Sequence, residues 1–254
     1  VVNAACKAAD IAHMQAHLSG VAEVIPVTDR ALFALQGPGA EAALAALLPG
    51  VAAMRFMDVA IVPWQGAEVW VSRSGYTGED GFELSVADGQ ALAFAQTLLA
   101  QDGVMPIGLG ARDSLRLEAG LPLYGHDMSP ETSPIEAGLV FGINKRRRTE
   151  GGFPGADRII REIAEGTARK WVGLTIEGRL PAREGAEVFS GADHIGTVTS
   201  GGFSPTLQAP IAMAYVASEY AAIGTAIEVE VRGKRLAATV APTPFVPHRY
   251  YRGS

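Results

Sequence analysis

The stretch GYTGEDGFELSV, residues 75–86, decides the fold of its region and raises the first functional question. Gly75, Gly78 and Gly81 stand three residues apart, with Glu79 and Asp80 between the last two. Glycine permits positive φ and lets a ligand approach the backbone closely, but it is also the usual residue of a plain turn. The loop is not a phosphate loop, because it lacks the Gly-Lys-Ser/Thr ending and its acids would repel phosphate.

The alternation that follows the loop predicts a half-buried strand. Successive side chains of a strand point to opposite faces, so Phe82, Leu84 and Val86 should face the core while Glu83 points away from them. An acid on a strand is most often solvated. The alternative is a carboxylate on the floor of a cavity, where it could accept two parallel hydrogen bonds from a flat ligand with adjacent N–H donors.

The chain around this stretch, up to about residue 165, mixes antiparallel strands with helices, which is typical of an α+β layer structure. Apolar spacing and turn residues predict further strands at 1–4, 21–27, 30–37, 55–62 and 67–73, and helices at 7–18, 38–48, 88–103 and 109–119. The last helix carries Arg112 and Arg116 four residues apart, hence on one face, with Asp113 and Glu118 close by. The plain interpretation is a salt-bridge lattice on the surface.

After about residue 165 the pattern changes to short strands separated by glycine and proline turns, without a good helix pattern. The strands are predicted at 171–176, 187–189, 194–200, 211–216, 226–231 and 236–240. This spacing indicates a small antiparallel barrel or sandwich. We therefore predict two domains, at 1–165 and 166–254.

Composition argues against several kinds of functional site. The 254 residues carry a net charge of −6, which disfavours an extended nucleic-acid surface. The single cysteine, Cys6, excludes an intrachain disulfide and fits a small buried hydrophobe better than a nucleophile. His13 and His17 are four apart on a predicted helix, but no third ligand is placed, so no metal site is expected.

Several segments together resemble the aminomethyltransferase of the glycine cleavage system, the T-protein family. They are GYTGEDGFE, GLGARDSLRLEAGLPLYGHDM (108–128), TSPIEAGL (132–139), INKRRR (143–148), WVGLTIEG, IGTVTSGGFSP, IAMAYV and PFVPHRYY, with VVNAAC at the start of the chain. The resemblance implies a folate-binding domain with ferredoxin-like α/β layers, followed by a small antiparallel β-barrel. It also implies a reaction in which the methylene of an aminomethyl-lipoyl H-protein passes to tetrahydrofolate and ammonia is released.

The same resemblance assigns roles to five residues. Glu83 matches the glutamate that takes the pterin N–H donors, and Arg112 matches an arginine that contacts folate. Tyr76 matches a tyrosine that lines the pocket, Tyr250 a C-terminal tyrosine that reaches the ligand, and Asn3 an asparagine near the reacting end. Tetrahydrofolate is then a co-substrate, no metal is required, and the location is the cytoplasm, or the mitochondrial matrix in a eukaryote.

Several points stay open. The family's catalytic aspartate lies upstream of the Asn3 segment, so the chain resembles a T-protein without its first quarter to third, and we expect weak activity or none from it alone. The folate-binding portion of a sarcosine- or dimethylglycine-dehydrogenase-type protein, or a non-catalytic folate-binding module, are the alternatives. The basic run at 145–148 is either a solvated patch or a guide for an acidic carrier protein or the folate glutamate tail.

Overall fold

A computed structural model describes residues 1–253. Its first region contains a four-stranded antiparallel sheet with the spatial order β1-β4-β3-β2. The strands are β1 (Arg30–Gln36), β2 (Val59–Trp64), β3 (Ala67–Ser72) and β4 (Gly81–Ala87). The strand predicted after Gly81 is therefore central, paired with β1 on one side and β3 on the other.

Six helices accompany the sheet, all of them before residue 166. They are α1 (Lys7–Leu18), α2 (Ala40–Ala45), α3 (Asp88–Leu99), α4 (Leu109–Glu118), α5 (Arg147–Glu150) and α6 (Ala156–Glu165). Short 3-10 turns occupy Ala4–Cys6, Pro49–Ala53, Val140–Gly142 and Ser218–Tyr220. Among residues 1–253, no helix is both long and apolar enough to span a bilayer.

One face of the sheet, the inner face, forms the core of this region. Phe82, Leu84 and Val86 are completely buried there, which confirms the alternation predicted for β4. Helices α2 and α3 cover this face and contribute Leu44 and Phe94 to the same cluster. The arrangement confirms the predicted layers of helix and sheet.

The opposite, outer face of the sheet carries Glu83 together with unusually exposed apolar side chains. The register places Ser72 and Ala34 beside Glu83, and places Trp70 and Leu32 beside Ser85. Further out on β2, Val59 and Ile61 are 73% and 60% exposed. The outer face is thus apolar without being packed within the described chain.

The second region is a closed antiparallel barrel, with the order β10-β5-β8-β7-β6-β9. Its strands are β5 (Arg169–Ile176), β6 (Glu187–Ser190), β7 (Asp193–Ser204), β8 (Ala209–Ala217), β9 (Ala226–Val231) and β10 (Lys234–Ala241). Closure confirms the barrel and excludes the sandwich. Helix α6 ends at Glu165 and β5 begins at Arg169, close to the predicted domain boundary.

Two predicted strands are absent from the described structure. At 1–4 the chain instead enters a 3-10 turn that Asn3 caps. The segment 21–27 has no regular structure, and Val21, Ile25 and Val27 are exposed, because no neighbouring strand supplies the hydrogen-bonding ladder that a strand needs. Helices α5 and α6 were not predicted.

Candidate functional site

The glycine loop, residues 74–80, contains Gly75 and Gly78 and is followed directly by Gly81, and each of the three glycines has an identifiable steric reason. A Cβ on Gly75 would lie 1.9 Å from the side chain of Gln36, and one on Gly81 would lie 2.6 Å from the backbone of β1. Gly78 has φ of +77°, a conformation that L side chains rarely adopt, and a Cβ there would lie 2.9 Å from that of Ala119. The loop is therefore pressed against β1 and against the end of α4.

The side-chain amide of Gln36 holds the loop in place. The Gln36 side chain donates to the carbonyl of Ser74 at 3.0 Å and to that of Phe82 at 3.2 Å, and its oxygen accepts from the Thr77 hydroxyl at 3.1 Å. These bonds connect both ends of the loop to its middle. The loop is consequently a fixed support for the side chains that it carries.

Tyr76 projects from this loop towards α4 and meets Arg112. The Tyr76 hydroxyl donates to the carbonyl of Pro122 at 2.5 Å, and the Arg112 guanidinium carbon lies 4.9 Å from the centre of the ring. Burial raises the pKa of Tyr76 to about 12, although the charges of Arg116 and Arg112 oppose the shift. Within residues 1–253 no carboxylate pairs with Arg112, so its charge is free to meet a ligand.

Tyr76 and Arg112 line one cavity of about 580 Å³ between α4, the segment after it, and the barrel. Arg116 and Arg183 also line its wall, together with the acids Asp113 and Glu184. At its margin, His126 Nδ1 lies 2.6 Å from a carboxylate oxygen of Glu184, which joins the two regions of the molecule. The cavity is thus shared by the sheet region and the barrel.

Arg116 corrects the surface-lattice interpretation of the α4 arginines. It is only 3% exposed, and its guanidinium donates to Asp127 at 2.7 Å and to the Ser200 hydroxyl at 2.8 Å. Asp127 is also buried and accepts from Ser200 and Thr199 of β7. The two arginines therefore differ: Arg116 joins α4 to the barrel, and Arg112 faces the cavity.

Glu83 lies on the outer face of the sheet, as predicted, and does not line that cavity. Its Oε2 accepts a hydrogen bond from the Ser74 hydroxyl at 2.7 Å, and Ser74 is the first residue of the glycine loop. Within the described chain its Oε1 has no hydrogen-bond partner. The loop therefore connects Glu83 to Tyr76 without bringing the two side chains into one pocket.

Tyr250 also reaches the loop, from the barrel side. Its ring stacks on Phe56, with centroids 4.1 Å apart, and the preceding amide of Arg249 donates to the carbonyl of Gly78 at 2.8 Å. Burial raises the pKa of Tyr250, against smaller effects of the Gly78 backbone and the Arg252 charge. Four of the five predicted site residues thus lie in or against one loop or its cavity.

Asn3 is the exception. It is exposed, and its Oδ1 accepts a hydrogen bond from the amide of Ala5 at 3.3 Å. Among the described residues, no hydrogen bond joins Asn3 to the glycine loop. Its position is explained locally, as the cap of a turn.

The remaining sequence candidates are less engaged with the site. In the basic run, Arg146 pairs with Glu150 at 3.0 Å, while Arg147 and Arg148 donate to backbone carbonyls nearby. Cys6 is partly exposed rather than buried. Within residues 1–253 no three potential ligands of the His, Cys, Asp or Glu type cluster as a metal site.

The sequence reasoning missed Gln36, Arg73 and Asp127. Gln36 and Asp127 have hydrogen-bond partners up to 46 and 73 residues away, which no local pattern indicates. Arg73 has a partner, Asp80, only seven residues away across the glycine loop, so a local pattern could have indicated it. The geometry of the loop and cavity can be compared with that of known proteins.

The GCVT N-terminal domain profile matches residues 1–147, and the glycine cleavage T-protein C-terminal barrel domain profile matches residues 169–247. The chain belongs to the glycine cleavage T-protein family. It is 46% identical to a probable mitochondrial aminomethyltransferase of Schizosaccharomyces pombe, over 99% of this chain and 66% of that protein. It is 45% identical to a mitochondrial aminomethyltransferase of Flaveria anomala, over 99% of this chain and 64% of that one.

A solved structure agrees with these relatives. The crystal structure of glycine cleavage system aminomethyltransferase T from Bartonella henselae superimposes with a TM-score of 0.92 at 43% identity, covering 98% of this chain and 68% of that one. The chain spans slightly less than two thirds of the length of the Schizosaccharomyces pombe and Flaveria anomala proteins. The names of the relatives favour the aminomethyltransferase interpretation over the dehydrogenase-type alternative.

Proposed function

We propose that this chain forms the folate-binding body of a glycine-cleavage aminomethyltransferase. The reaction moves the methylene of an aminomethyl-lipoyl H-protein to tetrahydrofolate and releases ammonia. The observation that carries the proposal is the Tyr76–Arg112 wall of a cavity, built on a glycine loop that also holds Glu83.

The cavity suits a ligand that is flat at one end and anionic at the other. Its volume of about 580 Å³ lies in the range of small-molecule sites. The Tyr76 ring offers an aromatic surface, and Arg112 offers a guanidinium that no acid of the described chain neutralises. Folate has this character, with an aromatic ring system and a glutamate tail that carries carboxylates.

Glu83 supplies the second recognition element. Ser74 occupies one lone pair of Oε2, so Oε1 and the second lone pair of Oε2 remain available to accept hydrogen bonds. The pterin ring presents adjacent N–H donors, and a carboxylate fixed on a strand can accept both in parallel. Glu83 would then orient the pterin, Tyr76 and Arg112 would hold the rest of the folate, and Tyr250 would reach the ligand from the barrel.

The reaction asks little of the protein beyond positioning and proton handling. Tetrahydrofolate N5 is the nucleophile and attacks the aminomethyl carbon, ammonia and the lipoyl thiol leave, and the methylene bridges N5 and N10. Holding the reactants in line is itself a large source of acceleration. By resemblance, Asn3 lies near the reacting end, and the H-protein is the partner that delivers the aminomethyl group.

The names of the relatives also bear on location. The Schizosaccharomyces pombe and Flaveria anomala proteins are described as mitochondrial. We therefore place this activity in the mitochondrial matrix if the source is a eukaryote, and in the cytoplasm otherwise.

A single-turnover assay tests the proposal. Excess chain is mixed with aminomethylated H-protein and tetrahydrofolate, and 5,10-methylene-tetrahydrofolate is quantified over time. We expect Arg112→Ala to slow product formation at subsaturating folate by roughly 10- to 150-fold, the value of one charged hydrogen bond of about 1.5–3 kcal/mol. Arg179→Ala, which removes an exposed arginine that does not line the cavity, is the matched control and should change the rate of product formation less than about twofold.

Two results would contradict the proposal. One is a folded wild-type chain that neither forms methylene-tetrahydrofolate nor binds reduced folate. The other is an Arg112→Ala variant that reacts as fast as Arg179→Ala.

A further inference from the structure

Arg73, which the reaction itself does not use, is together with Asp127 the most deeply buried charged residue of the described structure. It follows the last residue of β3 and is 1% exposed. Its guanidinium donates to Asp80, to Glu41 and to the carbonyl of Met54. A buried guanidinium is tolerated only when hydrogen-bond acceptors satisfy it, and Arg73 has three of them.

Arg73 and Asp80 stand at the two ends of the glycine loop. Arg73 Nε lies 3.1 Å from Asp80 Oδ1 and Nη2 lies 2.5 Å from Oδ2, which is a bidentate pair. Six residues, 74–79, lie between them and include Ser74 and Tyr76. The pair therefore closes the loop at its base in one fixed geometry.

The titration of Asp80 agrees with this geometry. Burial alone would raise the pKa of Asp80, but the hydrogen bonds and charge of Arg73 outweigh it and hold the pKa below its ordinary value. The backbone amides of Tyr251 and Gly81 act in the same direction. Asp80 thus stays ionised, and the pair stays charged, throughout the neutral range.

The C-terminal strap, residues 249–252, lies against the same pair. The ring of Tyr251 lies 4.3 Å from the Arg73 guanidinium, on which it forms a cation–π contact. The carbonyl of Tyr251 accepts from the amide of Phe56 at 2.6 Å, and Arg249 pairs with Glu79 at 3.0 Å. The strap follows the barrel in sequence and carries Tyr250, so the Arg73–Asp80 pair joins the loop to a residue delivered by the other region.

The two carboxylate partners of Arg73 differ in their exposure and in their position relative to the loop. Glu41 lies on α2 and is 42% exposed, and its bond with Arg73 does not span the loop. Asp80 is the better shielded partner and closes the loop. Loss of the Asp80 carboxylate would therefore open the loop at its base, whereas loss of the Glu41 carboxylate would leave the loop closed.

We propose that Arg73 and Asp80 are positioning residues for folate binding, which clasp the glycine loop and the C-terminal strap and so fix the backbone that supports Tyr76, Glu83 and Tyr250. This inference rests on the proposed function for its ligand. The clasp touches no reacting atom and acts through the side chains that the loop and strap carry.

The test compares Asp80→Asn with Glu41→Gln, each of which removes one carboxylate charge from Arg73 and keeps the side-chain shape. Binding of 5-formyltetrahydrofolate, an oxidation-resistant reduced folate, is measured by calorimetry at a temperature where both variants are folded. Hydrogen exchange of the amides at 75–79 is measured in the same samples without ligand. We expect Asp80→Asn to weaken binding about tenfold or more and to speed exchange in the loop, while Glu41→Gln changes both less than about twofold.

A conservative variant of Arg73 provides a second test. Arg73→Lys retains a charge but cannot form the bidentate pair, so it should resemble Asp80→Asn in loop exchange even where its melting temperature is close to wild type. Equal loop exchange in Asp80→Asn and Glu41→Gln, or wild-type folate affinity in a folded Asp80→Asn variant, would overturn the clasp. A wild-type chain that binds no reduced folate would contradict the proposed function instead, and the exchange comparison would still decide whether the pair fixes the loop.

Discussion

The barrel and the outer face of the sheet use apolar residues in opposite ways. Every barrel strand has a neighbour on each side, and residues such as Leu174 and Val229 are completely buried inside it. On the outer face of the sheet, Val59 and Ile61 remain largely exposed beside Glu83. The barrel therefore serves as a packed scaffold, whereas the sheet has one face that packs and one that carries the proposed pterin contact.

The largest expected effect separates the two faces of the sheet. Leu84→Ala empties a completely buried position of the inner face and should destabilise the protein by about 2–5 kcal/mol. Ile61→Ala removes the same number of carbon atoms from the outer face and should change stability by no more than about 0.5 kcal/mol. Urea unfolding followed by circular dichroism measures both.

The comparison fails if the two variants are equally destabilised. That result would mean that Ile61 is packed in solution, and that the outer face is not the open side of the sheet.

A smaller effect compares one tyrosine from each region. Burial raises the pKa of Tyr76, near the cavity, and of Tyr215, in the barrel, to about 12 each. Both folded-state values lie above the value of about 10 for an unfolded chain, so the stability they contribute is complete below pH 10 and is lost as pH rises towards 12. Absorbance at 295 nm after rapid pH jumps should show two tyrosines that titrate near pH 12, and Tyr76→Phe or Tyr215→Phe should each remove one.

If Tyr76 instead ionises near pH 10 while Tyr215 stays late, the Tyr76 hydroxyl is not held against Pro122 in solution. That result would mean that the glycine loop, which carries Tyr76, is more mobile than the barrel.

The parts of the fold that follow from local pattern were predictable. Two-residue alternation placed Phe82 and Glu83 on opposite faces, and the regular turns after residue 165 indicated the barrel. Helix α6 also has a local signal, since Ala156, Ile159, Ile160 and Ile163 recur at helical spacing. The segment 21–27 has strand-like composition but no ladder partner, and composition alone does not reveal that.

The residues of the site likewise include some that the sequence predicts and some that it does not. Tyr76, Glu83, Arg112 and Tyr250 came from the family resemblance, and the structure gathers them around one loop. Spacing placed Arg116 on the same helical face as Arg112, but it could not show that Arg116 is buried against Asp127 and Ser200, because Ser200 comes from a barrel strand 84 residues away. Contacts of that range depend on how the two regions pack, which no local pattern records.

The central claim is that Glu83 on the outer face orients the pterin. Glu83→Gln keeps the shape of the side chain but sets an amide against the ring donors, and Glu68→Gln, on the same face of β3, is the matched control. Calorimetric titration with 5-formyltetrahydrofolate should show binding weakened by about 1.5–3 kcal/mol, roughly 10- to 150-fold, in Glu83→Gln and unchanged affinity in Glu68→Gln. Wild-type affinity in a folded Glu83→Gln variant would contradict the claim.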